Sequence, residues 1–311
     1  MGWTELKNPL YPWMRTVDRI LSATRAPVFS GPTMVIASDS GGTNSRSNYR
    51  TWVHLCMDLE ASKNWEPLRR DVRQRYLPDG RRLSYKALGD EKRKSAIVPF
   101  LEAAESIVGV CVAVIIDKRI RRLCLNEPLD YEQMHTAAEL KAKWKDRELE
   151  EALRVTQIVA GLIAGLSLPK QNIYWISDQD NLFGNDRQSH DVSRLLSSFS
   201  THYMHHSLGE LGIGTTALDE GDRLEEDLTA IPDLVAGALA ETTTRLSQCA
   251  GGYLVPSIAI PYEGKFLEKA DLIANWFWAP CRALRRVAIL FALQSDGRYS
   301  VSKHEMRTIL I

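Results

Sequence analysis

The sequence predicts an α/β fold, a mixed β-sheet with helices on both faces. Short apolar runs at Met34–Ala37, Val108–Ile116 and Asn172–Ser177 are rich in β-branched residues and too short for buried helices. Longer stretches between them, such as Asp90–Ser106 and Asp191–Tyr203, carry apolar residues at helical spacing. The order is two hairpin strands first, then helix and strand in alternation, which suits a sheet covered on both sides.

Residues 1–32 form an N-terminal arm, in which Trp3, Tyr11, Trp13, Val17, Ile20 and Leu21 can pack a short helix onto the main body before Pro27 and Pro32. The first strand ends at Asp39, and Gly41 and Gly42 follow at once, letting the chain turn with its backbone bare. Tyr49–Leu59 reads as its antiparallel partner. Trp65–Tyr76 fits a basic helix closed by the turn Pro78-Asp79-Gly80, and Leu83–Lys86 a short extended piece. Asp90–Ser106 presents Ile97, Phe100, Leu101 and Ala104 on one helical face. Val108–Ile116 is the clearest strand and belongs at the centre of the sheet.

A long helical region is expected over 131–168, a strand over 172–177 ending at Asp178, a helix over 191–203 and a short strand over 212–218. A helix over 230–249, a loop over 253–261 and an aromatic-rich final helix over 266–293, interrupted at Pro280, complete the chain. No linker rich in Pro, Gly or Ser marks a second domain. The expected organisation is therefore an arm (1–32), one α/β domain (33–250) and a C-terminal helical extension (251–311) packed on it.

Composition narrows the class. Lys plus Arg and Asp plus Glu number 39 each, so net charge implies no polyanionic partner. The five cysteines form no CxxC pair, which argues for a reduced, cytoplasmic setting. The alternation of polar and apolar residues over Trp3–Arg15 is unlike a secretory signal, and the most apolar window, Val155–Leu168, is too short to span a bilayer. A soluble protein without membrane association is expected.

Three acidic positions share a local setting. Asp39 and Asp178 end strands, and Asp233 lies near the expected start of a helix whose Ala236, Gly237, Ala238 and Ala240 let it approach the sheet closely. Carboxylates so placed converge where strands finish and repel one another unless cations neutralise them. Two divalent ions held about 3.5–4 Å apart would make a clamp for phosphoryl transfer.

These positions fall in an ordered set: Asp39-Ser40-Gly41-Gly42, Tyr85-Lys86, Asp178-Gln179-Asp180 and Pro232-Asp233-Leu234-Val235-Ala236-Gly237. In this order the set resembles an uncharacterised bacterial family of RNase H-like fold over roughly residues 33–245. Its members carry D-x-S-G at the first strand, a Y-K element, a D-x-D strand end and an A-D-L-x-A-G-like helix. The resemblance implies a fold related to RNase H, integrases and resolvases. It also implies a Mg²⁺ or Mn²⁺ site built from Asp39, Asp178 and Asp233 with Asp180 auxiliary, and His190 assisting proton transfer. Gly41 departs from the family Ser. The Glu that RNase H carries on its first core helix has only Glu91 and Glu102 as candidates here, and Lys86 can take its place, either touching a phosphate or neutralising the aspartates.

The expected activity is metal-dependent hydrolysis of phosphodiester bonds in DNA or RNA. The alternative from another class is a catalytically silent nucleic-acid-binding or scaffold protein on the same fold. Asp39-Ser40-Gly41-Gly42-Thr43-Asn44 with Arg46 also resembles the first phosphate loop of actin-like sugar kinases. For the second loop of that superfamily only Gly212–Thr216 stands in, and an adenosine motif is missing from the sequence.

Charge is locally uneven. Ten basic residues stand between Arg69 and Lys94, with Trp65, Tyr76 and Tyr85 interleaved. Such a stretch can track a phosphate backbone while aromatics stack bases, which nominates Arg69, Arg70, Arg73, Arg75 and Lys86 as nucleic-acid contacts. The acidic run Asp219–Asp227 offers either a solvated loop or a surface for the basic stretch of a second copy, hence a homodimer. His202, His205 and His206 read as a helix end.

Overall fold

The structure, a computed structural model, describes residues 2–125, 134–136, 138–178, 182–216, 219, 221–262 and 268–310. Its centre is an eight-stranded mixed sheet flanked by helices. In chain order the strands are β1 (Thr33–Gly41), β2 (Tyr49–Asp58), β3 (Gly109–Asp117), β4 (Asn172–Ser177), β5 (Leu211–Thr215), β6 (Ser257–Tyr262), β7 (Leu284–Leu293) and β8 (Tyr299–Leu310). They lie side by side as β5-β4-β1-β2-β3-β7-β8-β6. The first three form an antiparallel meander, and β4 and β5 add parallel to β1 on its other side.

The helices include α1 (Pro12–Ser22), α2 (Trp65–Tyr76), α3 (Glu91–Ala104), α4 (Asp146–Leu166), α5 (Asp186–Tyr203), α6 (Leu224–Cys249) and α7 (Lys269–Trp278), with a 3-10 turn at Tyr85–Ala87. Two apolar layers sandwich the sheet. Met34, Ile36, Trp52 and Val112 face a core shared with α1, α4 and α5, whereas Val35, Ala37, Val53 and Ala113 face one shared with α2, α3, α6 and α7. Neighbouring residues of a strand thus serve opposite layers, as the pleat requires. The arm joins the first layer: Trp13, Met14, Val17 and Leu21 are buried and Trp3, Tyr11 and Ile20 pack against them.

Three expectations are corrected. The C-terminal extension is not all helical, because Leu284–Leu293 is a strand paired parallel to β3, and β8 and β6 continue the sheet. Its run of apolar and β-branched residues buries both faces, which a strand between β3 and β8 does in ten residues. The loop expected over 253–261 contains the start of β6. Helix α6 begins at Leu224, earlier than expected and straight through Pro232, so Asp233 lies well inside it. Of the long helical region expected over 131–168, residues 134–136 and α4 are helical; residues 131–133 and 137 lie outside the described residues. Among the described residues no helix is long and apolar enough to cross a membrane.

Candidate functional site

Helix α6 lies directly over the end of β1. A Cβ on Gly41 would stand 2.3 Å from the carbonyl oxygen of Ala236, so the Asp-Ser-Gly strand end and the small-residue face of α6 are fitted to each other. Gly42 then turns the chain at a φ of +76°, where a side chain would be strained.

This close approach brings the aspartates to one end of the sheet. The last register pair between β1 and β4 is Ser38 with Ser177, so Asp39 and Asp178 follow one step further on neighbouring parallel strands. Val35 and Ala37 on β1, and Ile176 on β4, belong to the α6 layer, and the two-residue period of a strand carries Asp39 and Asp178 to the same side. Asp233 reaches that edge from α6. Burial pushes its carboxyl above the ordinary carboxylate range, and the negative charge of Asp178 adds to this, while the Tyr85 amide, Lys86 and Arg82 oppose it.

Each carboxylate has partners. Asp39 Oδ1 accepts the Ser40 N–H at 2.5 Å. Asp178 Oδ1 accepts the Thr216 hydroxyl at 2.9 Å and Arg82 Nη2 at 3.3 Å. Asp233 Oδ2 accepts the Tyr85 N–H at 2.6 Å. Tyr85 is clamped from every side. Its hydroxyl donates to Glu241 at 2.7 Å, its carbonyl accepts Lys269 Nζ at 2.9 Å, and the same ammonium lies 4.2 Å from the ring centroid. The ring rests on Gly237, where a Cβ would approach within 2.3 Å. The next residue, Lys86, is exposed, and its charge reaches Asp233. The Tyr-Lys element and the late helix are therefore one unit, joined through Asp233.

The other expected site residues divide. Asp180 lies outside the described residues. His190 is exposed on α5, a helix that packs on the opposite face of the sheet from α6, and no described contact brings it to the aspartates. Glu91 pairs with Lys94 and Glu102 is exposed, so neither supplies a fourth carboxylate. Arg82 belongs to the basic stretch and Thr216 to the glycine-containing Gly212–Thr216 run, but nothing local in the sequence ties either to Asp178; the fold brings both to it. Of Gly212–Thr216, the stand-in for a second kinase loop, all but Thr216 belongs to strand β5. A cleft of about 510 Å³ at the start of α5 is lined by Ala142, Lys143, Asn185, Asp186, Arg187 and Gln188, and by none of the three aspartates.

The basic stretch is corrected more strongly. The Arg69 side chain is 0% exposed and binds Glu66, Asp222 and Asp227, and Arg73 grips Asp227 through two hydrogen bonds. These two arginines are interior counter-ions and are not available to a phosphate backbone. Arg70 and Arg75 are exposed, though Arg70 pairs with Glu66 and Asp222 and Arg75 with Asp71. Within the acidic run, Asp222 and Asp227 neutralise the arginines of α2 in the same chain.

The donor set is three hard carboxylates, the type that Mg²⁺ and Mn²⁺ prefer. With the side chains placed as they are, no group of three or more His, Cys, Asp or Glu among the described residues has the spacing to hold a metal ion. No protein-family model matches the chain, and no curated protein matches it.

Proposed function

We propose that the β1–β5 half of the sheet with α4, α5 and α6 is an RNase H-like core. On this core, Asp39, Asp178 and Asp233 serve metal-dependent hydrolysis of phosphodiester bonds in nucleic acid. The observation that carries this is the placing of three acids at one end of the sheet: Asp178 raises the Asp233 carboxyl, and Asp39 and Asp178 each follow the last paired residues of neighbouring parallel strands. A buried carboxyl such as that of Asp233, raised by burial and by a second acid, is a common mark of functional sites.

Asp39, Asp178 and Asp233, with Asp180, would hold Mg²⁺ or Mn²⁺, and the bound ion would supply an acidified water and charge stabilisation at the leaving oxygen. Arg82 would leave Asp178 and turn to the substrate phosphate, a planar donor well matched to that group. Lys86, held in place by the clamped Tyr85, would meet the same phosphate as a point charge. Thr216 would keep Asp178 oriented throughout.

One observation favours the second reading, a silent nucleic-acid-binding or scaffold protein. Arg82 on Asp178 and Lys86 near Asp233 already offset much of the acidic charge without a metal. Calorimetric titration with Mn²⁺ separates the two. The enzyme requires saturable binding by the wild-type protein, weakened tenfold or more in Asp178→Asn. Absence of Mn²⁺ binding would leave the silent protein.

A further inference from the structure

At the same sheet end, between the β1–β2 loop and the start of α4, stands a group of cations that the aspartate site does not use. Arg50 of β2 donates to the Gly41 carbonyl at 3.2 Å and to Glu151 at 2.6 Å, and its guanidinium carbon lies 4.7 Å from the Trp52 ring centroid. Arg147 is one turn before Glu151 on α4 and so shares its face. Lys118, just past β3, donates its ammonium to the Asn44 carbonyl at 2.6 Å. Arg46 is exposed in the same loop, which the Asn44 side chain folds by accepting the Arg46 and Ser47 N–H groups.

Glu151 is already engaged by Arg50, and among the described residues neither Arg46 nor Arg147 has an ion-pair partner. Lys118 feels the crowding: burial, then Arg147 and Arg50, hold its ammonium below the ordinary lysine range. Like charges kept together in this way are relieved by an anion. The loop that carries Arg46 leaves β1 two residues after Asp39, is pinned to α6 where Ser47 and Asn48 meet Thr244, and reaches Lys118 through the Asn44 carbonyl, so the cations begin where the aspartate edge ends.

We propose that Arg46, Lys118 and Arg147, braced by Arg50, form a phosphate-binding site that takes the phosphate flanking the one presented to the aspartates. The assignment of that flank rests on the function proposed above, but the site itself is defined by its cations. The chemistry fits a phosphodiester of a nucleic-acid strand and equally a free phosphate or pyrophosphate.

The test measures binding in EDTA, where no cleavage occurs. Wild type, the exposed-site variant Arg46→Ala/Arg147→Ala and the milder Arg147→Gln are compared by anisotropy with a labelled single-stranded oligonucleotide and by calorimetry with inorganic pyrophosphate. Arg50 is left intact, and unchanged circular dichroism confirms the fold. The expected result is oligonucleotide affinity at least about tenfold weaker in the double variant, with the salt slope reduced by roughly one for each cation removed. Loss of pyrophosphate binding alone, with no oligonucleotide bound by wild type, supports the site with a free phosphate as ligand. Equal affinities in wild type and variants, or no binding of either probe by wild type, overturns it. Binding that behaves as expected without any cleavage in Mg²⁺ would instead sink the nuclease proposal and leave this site standing.

Discussion

At Asp233 one carboxylate oxygen is engaged by the Tyr85 amide, and the charge is disfavoured by burial and by Asp178. Asparagine keeps the acceptor and removes the charge. Because the folded protein holds the Asp233 proton more tightly than the unfolded chain, this group contributes stability below the ordinary carboxylate range and loses it as pH rises through the raised folded value. Asp233→Asn should therefore raise the thermal midpoint in EDTA near neutral pH. The gain should vanish as pH falls toward about 4, as melting curves across that interval would reveal. At Arg69 the opposite holds. Removing it leaves Asp227, 1% exposed, with a weaker set of partners, and urea unfolding of Arg69→Ala should show a loss of about 3–5 kcal/mol. Arg70→Ala, on the exposed face of the same helix, should cost under about 0.5 kcal/mol.

At the scale of elements, the contact between α6 and the Tyr85 turn is the joint on which the site depends. Gly237→Ala places a methyl group against the Tyr85 ring and should destabilise by about 1–3 kcal/mol. It should also weaken whatever Lys86 and Asp233 do together, so a variant with unchanged stability and unchanged Mn²⁺ affinity would contradict the joint. Much of this was legible in the chain. The strands β1, β3 and β4 are short β-branched runs ending in acids, and the small residues of α6 announce a close helix. What could not be read has physical causes. Val287–Leu293 is an unbroken apolar run, a pattern that a buried strand and a buried helix share. The start of α6 was hidden because its first turn is acidic. Glu225, Glu226 and Asp227 there suit the positive end of a helix and the arginines of α2, though in isolation they resemble a loop. Arg82 and Thr216 join the site only through contacts distant in sequence, 96 and 38 residues from Asp178.

At the scale of the whole molecule, one sheet carries both halves of the chain. The meander with β4 and β5 ends in the aspartates, and β7, β8 and β6 extend the sheet beyond β3, with α7 sending Lys269 back to the Tyr85 turn. The C-terminal part is thereby tied to the site and is more than an appendage. On the proposed function the three aspartates together run the chemistry. Labelled single- and double-stranded DNA and RNA, incubated with Mg²⁺ or Mn²⁺, should be cleaved by the wild-type protein. Asp39→Asn should be slower by on the order of a thousandfold while binding the same substrates equally well in EDTA. Equal cleavage by both proteins, or cleavage by neither with binding intact, would contradict it.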